Sequence, residues 1–244
     1  MCTVTFIPYN NGNGYILTSS RDEKTSRPNA LAPQKYNMFQ QQAFFPKDKL
    51  AGGTWVATSL NNFTLCLLNG AFNFHLSKPP YRLSRGLMLL DFFKYNNVND
   101  FVQNYDFSNI ENFTLIIVNA NNTLQLTELR WDGVNLYQSD LDASSKYIWS
   151  SCTLYQPEAI LNRKNWFTNF CNNTPEITKD DTMLFHQNAG DGSLENSILM
   201  NRENRVKTVS ITCIDHSVNG YTMQYLDIET MQNNTLRIFK SESQ

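Results

Sequence analysis

Apolar positions in this chain fall mostly into short strand-sized runs, and the spacing changes to that of a helix in only a few places. Thr3–Tyr9 and Tyr15–Ser20 flank Asn10–Gly14, whose Asn and Gly residues tolerate positive φ and favour a hairpin. Thr54–Ser59 and Phe63–Leu68 repeat the pattern around Asn61-Asn62, ending at Asn69-Gly70. Phe113–Val118 and Thr123–Trp131 repeat it around Asn119–Asn122. Asn135–Gln138, Tyr147–Ser151, Val206–Asp215, Tyr221–Asp227 and Leu236–Phe239 are further strands. Helical spacing marks Ser84–Tyr95, where Leu87, Leu90 and Phe93 recur, and Pro157–Cys171, where Ile160, Leu161, Lys164, Phe167 and Phe170 trace one broad face. Asn99-Asp100 caps a short helix reaching about Tyr105, and Thr178–Gln187 forms another with Asp180-Asp181 at its positive end. Thr25–Gln42 is polar, contains Arg27-Pro28 and Ala32-Pro33, and reads as a loop.

Hairpins alternating with grouped helices predict an α+β fold, helices covering mostly antiparallel sheets, in one domain over residues 1–244. Composition narrows the picture. At 41% hydrophobic and 17% charged residues, the chain can bury a core and is not disordered. A net charge of −2 argues against a general binder of nucleic acid or of an anionic membrane. No basic stretch precedes an apolar one at the start, and the most apolar runs, Thr64–Leu68 and Thr114–Val118, are strand-sized, so no export signal or membrane insertion is expected. Cys2, Cys66, Cys152, Cys171 and Cys213 form no CxxC pair, which suits reduced thiols in the cytoplasm. His75, His186 and His216 are scattered without carboxylate spacing, so no metal site is expected.

Candidate chemistry concentrates in the first hairpin. With its midpoint at Gly12, Cys2 falls opposite Asp22, with Arg21 beside it, in a register that a loop longer than two residues can shift by one or two. If Met1 is removed, Cys2 carries a free α-amine next to its thiol and can use that amine as its own base. A neighbouring Arg raises the thiolate fraction. Taken alone, Cys2 reads first as a small residue buried in a strand, and Arg21-Asp22-Glu23 as a solvated strand end.

Three segments change that balance. Met1-Cys2-Thr3-Val4, then Ser20-Arg21-Asp22-Glu23 with Ser26-Arg27-Pro28, then Gly52-Gly53-Thr54-Trp55 resemble the NRDE family, which includes the transport-and-Golgi-organisation proteins. Ser20 stands where the family's name tetrapeptide has Asn. The resemblance implies the four-layer αββα sandwich of N-terminal nucleophile hydrolases. It implies Cys2 as nucleophile, Arg21 and Asp22 as orienting residues, Asn69 as oxyanion donor, and Arg205, within Asn204–Val209, as a late arginine. Trp55 and Ser151 are candidate pocket residues. In Trp149–Cys152, Ser151 replaces the family's second Asn, and losing one oxyanion donor can cost roughly 100- to 1,000-fold in rate.

The implied function is a cysteine hydrolase of a C–N amide bond, acting without a cofactor on a small-molecule amide or acyl substrate. The alternative implied by the same family is a non-catalytic protein that binds and traffics haem or a lipid or acyl-CoA. With no CxxCH and no evident axial His, haem would be a transported ligand. A scaffold with a degenerate site is a third reading, suggested by Ser151.

Overall fold

A computed structural model describes residues 3–10, 12, 14–217 and 220–239. Cys2, and with it the expected pairing of Cys2 with Asp22, lies outside the described residues. The chain divides into two compact units, residues 1–28 with 143–244, and residues 29–142.

The first unit opens with β1 (Thr3–Pro8) and β2 (Tyr15–Lys24). They pair antiparallel with Thr3 opposite Ser20 and Pro8 opposite Tyr15. A midpoint at Gly12 demands Thr3 opposite Arg21, so the ladder is offset by one residue from the expected register. The cause is the turn: the six residues Tyr9–Gly14 lie between the last pair, an even number that cannot centre on a single residue. Tyr9 N–H donates to Gly14 O at 3.0 Å and Gly12 N–H to Tyr9 O at 2.9 Å. Because side chains alternate, a one-residue shift exchanges faces, and Thr3 shares a face with Ser20 and Asp22 rather than with Arg21.

The second unit is a meander of antiparallel strands interrupted by helices. Its strands are β3 (Leu31–Met38), β4 (Gln41–Lys47), β5 (Val56–Ser59), β6 (Phe63–Asn69), β7 (Phe113–Asn119), β8 (Gln125–Trp131) and β9 (Leu136–Leu141), hydrogen-bonded in chain order. Between β6 and β7 come α1 (Arg85–Asp91), a 3-10 turn at Phe92–Lys94, and α2 (Val98–Asn104). Ser84 caps α1. Asn97, rather than Asn99-Asp100, caps α2 by accepting the Asp100 N–H at 2.9 Å. Met88, Leu89, Phe92 and Phe101 pack on Phe63, Leu65, Phe113 and Leu115.

The expected loop 25–42 contains β3 and the start of β4. The pattern concealed β3 because it is an edge strand and much of it is exposed. Its ladder shifts register between Leu31 and Gln34, and an edge irregularity is where a strand admits a proline such as Pro33.

The chain returns to the first unit through β10 (Tyr147–Ser150), α3 (Pro157–Asn173), α4 (Lys179–Asn188), the short β11 (Asn201–Arg202), β12 (Val206–Ser217), β13 (Gly220–Asp227) and β14 (Asn233–Ile238). This sheet runs β10-β1-β2-β12-β13-β14, with β11 on β12. Pro157 begins α3, where its missing N–H is not needed. Thr178 and Asp181 form a capping box at the start of α4. The buried face of α3 is Ala159, Arg163 and Phe167, whereas Leu161, expected on that face, is exposed. Phe167, Met183 and Phe185 pack on Ile7, Ile16, Ile211 and Cys213. Among the described residues no helix is long and apolar enough to cross a membrane.

Candidate functional site

The last turns of β2 carry the charges of the site. Ile16 packs in the cluster that holds the helices, and Ser20 meets His186 of α4, so alternation places Asp22 on the helix side and Arg21 on the other face. Arg21 and Asp22 are each only 3% exposed. Opposite them, β12 bulges: Asp22 pairs with Thr208 and Arg21 with Ser210, which leaves Val209 as the extra residue. Bulges re-aim side chains beside functional sites, and this one brings the Thr208 hydroxyl onto the carboxylate.

Asp22 accepts hydrogen bonds from two hydroxyls. Thr208 Oγ1 donates to Oδ1 at 2.6 Å, and the Tyr155 hydroxyl donates to Oδ2. Thr208 Oγ1 in turn accepts the Met200 N–H at 2.9 Å. Tyr155 is placed by a turn in which Ser151 O accepts its N–H at 3.2 Å. Ser151 is itself buried, with its hydroxyl 3.0 Å from that of Thr153.

Beneath Tyr155 lies Arg163 of α3, with its guanidinium carbon 3.5 Å from the ring centroid. This arginine is fully buried. It donates to Thr3 Oγ1, to Ser197 O at 2.6 Å and to Asn196 O at 3.2 Å. His186 completes the layer. Its Nδ1 is 2.8 Å from Ser20 Oγ and its Nε2 is 2.9 Å from Thr5 Oγ1, so it ties β1 to β2. Burial, assisted by the Arg163 charge, pushes its pKa down to about 3, so the imidazole is neutral.

On the opposite face of β2, Arg21 approaches Glu23 at 3.6 Å, and Glu23 lies 3.6 Å from Arg27. Burial raises the pKa of Tyr225 on β13, while the Ser210 hydroxyl and the Arg21 charge act in the other direction.

Arg205 does not join this layer. Glu203 and Asn204 adopt positive φ in the turn from β11 to β12, which leaves Arg205 at the surface. Its side chain is 84% exposed and 3.4 Å from Glu203. Its backbone carbonyl accepts the Thr25 N–H at 3.1 Å, so the position serves the strand ladder while the guanidinium stands in solvent.

In the second unit, Asn69 ends β6 opposite Phe113, and Gly70 follows with φ +81. The Gly70 N–H donates to Asn112 O at 3.0 Å and its carbonyl accepts from Thr114 Oγ1 at 2.8 Å, which holds the strand end. Trp55 is buried and its carbonyl accepts the Leu67 N–H at 2.8 Å. The Gly-Gly of Gly52–Trp55 has a packing reason. A Cβ on Gly53 would stand 2.4 Å from the backbone carbon of Gly86 at the start of α1.

Thus Arg21, Asp22 and Ser151 belong to one buried end of the first unit, and Asn69 and Trp55 to the second. Sequence reasoning missed Tyr155, Arg163, His186 and Thr208. One signal was available: Arg163 sits four residues from both Ala159 and Phe167, on the buried stripe of α3, where a charge demands partners. Among the described residues no three His, Cys, Asp or Glu side chains gather where they could hold a metal ion.

Solved structures resemble the chain throughout its length. A mutant of conjugated bile acid hydrolase from Clostridium perfringens superposes with a TM-score of 0.62 at 10% identity, covering 98% of this chain and 92% of that one. Penicillin V acylase from Agrobacterium tumefaciens gives 0.52 at 13% identity, covering 99% and 87%. At such identities the likeness establishes the fold alone: α+β, with two mostly antiparallel sheets and few helices. No curated protein is similar enough in sequence to count as a relative. The sequence matches the family described as Transport and Golgi organisation 2 over residues 1–225, nearly its whole length, and the chain therefore belongs to that family.

Proposed function

We propose that the protein is an N-terminal-cysteine hydrolase that cleaves a C–N amide bond in a small molecule. Removal of Met1 exposes the Cys2 amine, which takes the thiol proton. The thiolate attacks the amide carbonyl to form an oxyanion, for which the family resemblance names Asn69 as donor. The C–N bond then breaks, the departing amine takes the proton from the Cys2 ammonium, and a thioester remains. Water hydrolyses it, releasing the acid and restoring the thiol. Asp22 is the group that holds the ammonium, and Arg21 supplies positive potential. Arg205, with its guanidinium in solvent, has no part in the buried steps.

The observation that carries this reading is the β1–β2 ladder. Thr3 lies opposite Ser20, and the next two residues of β2 are the buried Arg21 and Asp22. A buried guanidinium and carboxylate beside the start of β1 are costly without a purpose. The structural likeness to a hydrolase and an acylase supports the same direction. The test is mass spectrometry of the N-terminus combined with an electrophilic β-lactone probe. We expect a chain starting at Cys2 and labelling that Cys2→Ala abolishes. Retained Met1, or labelling unaffected by Cys2→Ala, would overturn the proposal.

A further inference from the structure

Among the described residues Arg163 is the largest side chain with no solvent exposure. A buried arginine is ordinarily matched by a carboxylate. This one instead spends its donors on neutral oxygens: Thr3 Oγ1, Asn196 O and Ser197 O. Its planar face lies on Tyr155, 3.5 Å from the ring centroid, and the hydroxyl of that same ring donates to Asp22. The positive charge therefore reaches the carboxylate through a polarised phenol rather than by contact. Its other firm attachment is the first described residue of β1, next in sequence to Cys2.

We propose that Arg163 is the positioning residue of the N-terminal site: it fixes Thr3, and through Tyr155 it fixes Asp22, so that the start of the chain and its carboxylate keep one geometry. This inference rests on the N-terminal-cysteine reading and assigns a residue to it. A guanidinium is suited to the task because its planar fork serves three oxygens at once while its face stays on an aromatic ring. Lysine has the charge but neither the fork nor the face. On the N-terminal-cysteine reading, such a charge would also favour thiolate over thiol at the nucleophile.

The experiment measures the second-order rate of Cys2 acylation by a β-lactone as a function of pH, in the full-length processed protein. In that reaction the thiolate attacks the lactone carbonyl, the ring C–O bond breaks, and the alkoxide takes a proton from water. Wild type is compared with Arg163→Lys, Arg163→Met and Tyr155→Phe, and circular dichroism establishes folding. We expect Arg163→Met to slow labelling at neutral pH by at least about tenfold and to move the midpoint of the pH profile upward. Arg163→Lys should keep more of the midpoint than of the rate. Tyr155→Phe leaves the ring under the guanidinium and removes only the hydroxyl. It should slow labelling while the protein stays folded, so it carries the test if the Arg163 variants do not fold. Folded variants that label with the wild-type rate and midpoint overturn the inference alone. A wild type that retains Met1, or whose labelling survives Cys2→Ala, overturns the proposed function and this inference with it.

Discussion

Thr208 Oγ1 stands 2.6 Å from Asp22 Oδ1, on the pair of residues next to the bulge at Val209. The same hydroxyl oxygen accepts the Met200 N–H at 2.9 Å. One side chain thus satisfies a buried carboxylate and a buried backbone donor. Thr208→Val keeps the shape and removes both bonds, and an unsatisfied buried polar group costs about 1–3 kcal/mol. The urea midpoint should fall with an unchanged m-value, and Thr208→Ser should recover most of the loss. Equal midpoints for Val and Thr would show that the bond contributes nothing.

His186 makes stability depend on pH. Its folded pKa is lowered to about 3 against 6.5 for a free imidazole, first by burial and then by Arg163. Between those values the unfolded chain binds a proton that the native state refuses, so stability is lost as pH falls below about 6.5, with a slope of up to ~1.4 kcal/mol per pH unit. His186→Gln should be less stable at pH 7, because Thr5 and Ser20 are bridged less well, but its urea midpoint should fall less between pH 6.5 and 5. Parallel wild-type and variant curves would remove His186 from the account.

The two glycines of Gly52–Trp55 should respond differently to alanine. Gly52 has φ +72 and open space where a Cβ would go, so Gly52→Ala meets only the left-handed backbone penalty of about 1–2 kcal/mol. Gly53→Ala drives a methyl against the Gly86 backbone and separates the Thr54 N–H from Gly86 O, now 3.2 Å apart. Overpacking alone costs about 1–3 kcal/mol, and the lost hydrogen bond adds to it. Thermal melts should rank Gly53→Ala as the more damaging, and the reverse order would contradict the close approach.

Thiol reactivity should separate the cysteines. Cys66 and Cys213 are buried, and burial pushes the Cys213 pKa up to about 11 despite the opposing effect of Thr18 and Thr182. Differential alkylation at pH 7.5 should leave both unmodified in the folded protein and modify both in denaturant. Modification of Cys213 at the unfolded rate under native conditions would contradict its burial.

Much of the fold was legible because its signals are local. Alternation and Asn/Gly turns announce the hairpins of β1–β2, β5–β6 and β7–β8, and Pro157 and Thr178 announce α3 and α4. β3 was not legible, since an exposed edge strand carrying a proline has the composition of a loop. The register of the first hairpin is offset by one residue, within the slip its long loop allows, because loop parity depends on hydrogen bonds at Tyr9 and Gly12 that composition does not encode.

The sequence by itself determined the α+β class, the candidate residues Cys2, Arg21, Asp22 and Asn69, and the resemblance that the family match later established. Only the tertiary structure decided which charges are buried. It left Arg205 in solvent, sank Arg163 beneath Tyr155, and closed Thr208 and Tyr155 around Asp22. The reason is physical. Whether an arginine is a surface charge or a buried one depends on partners far along the chain, here Ser197, 34 residues from Arg163, and Thr3, 160 residues from it, and no local pattern carries that information.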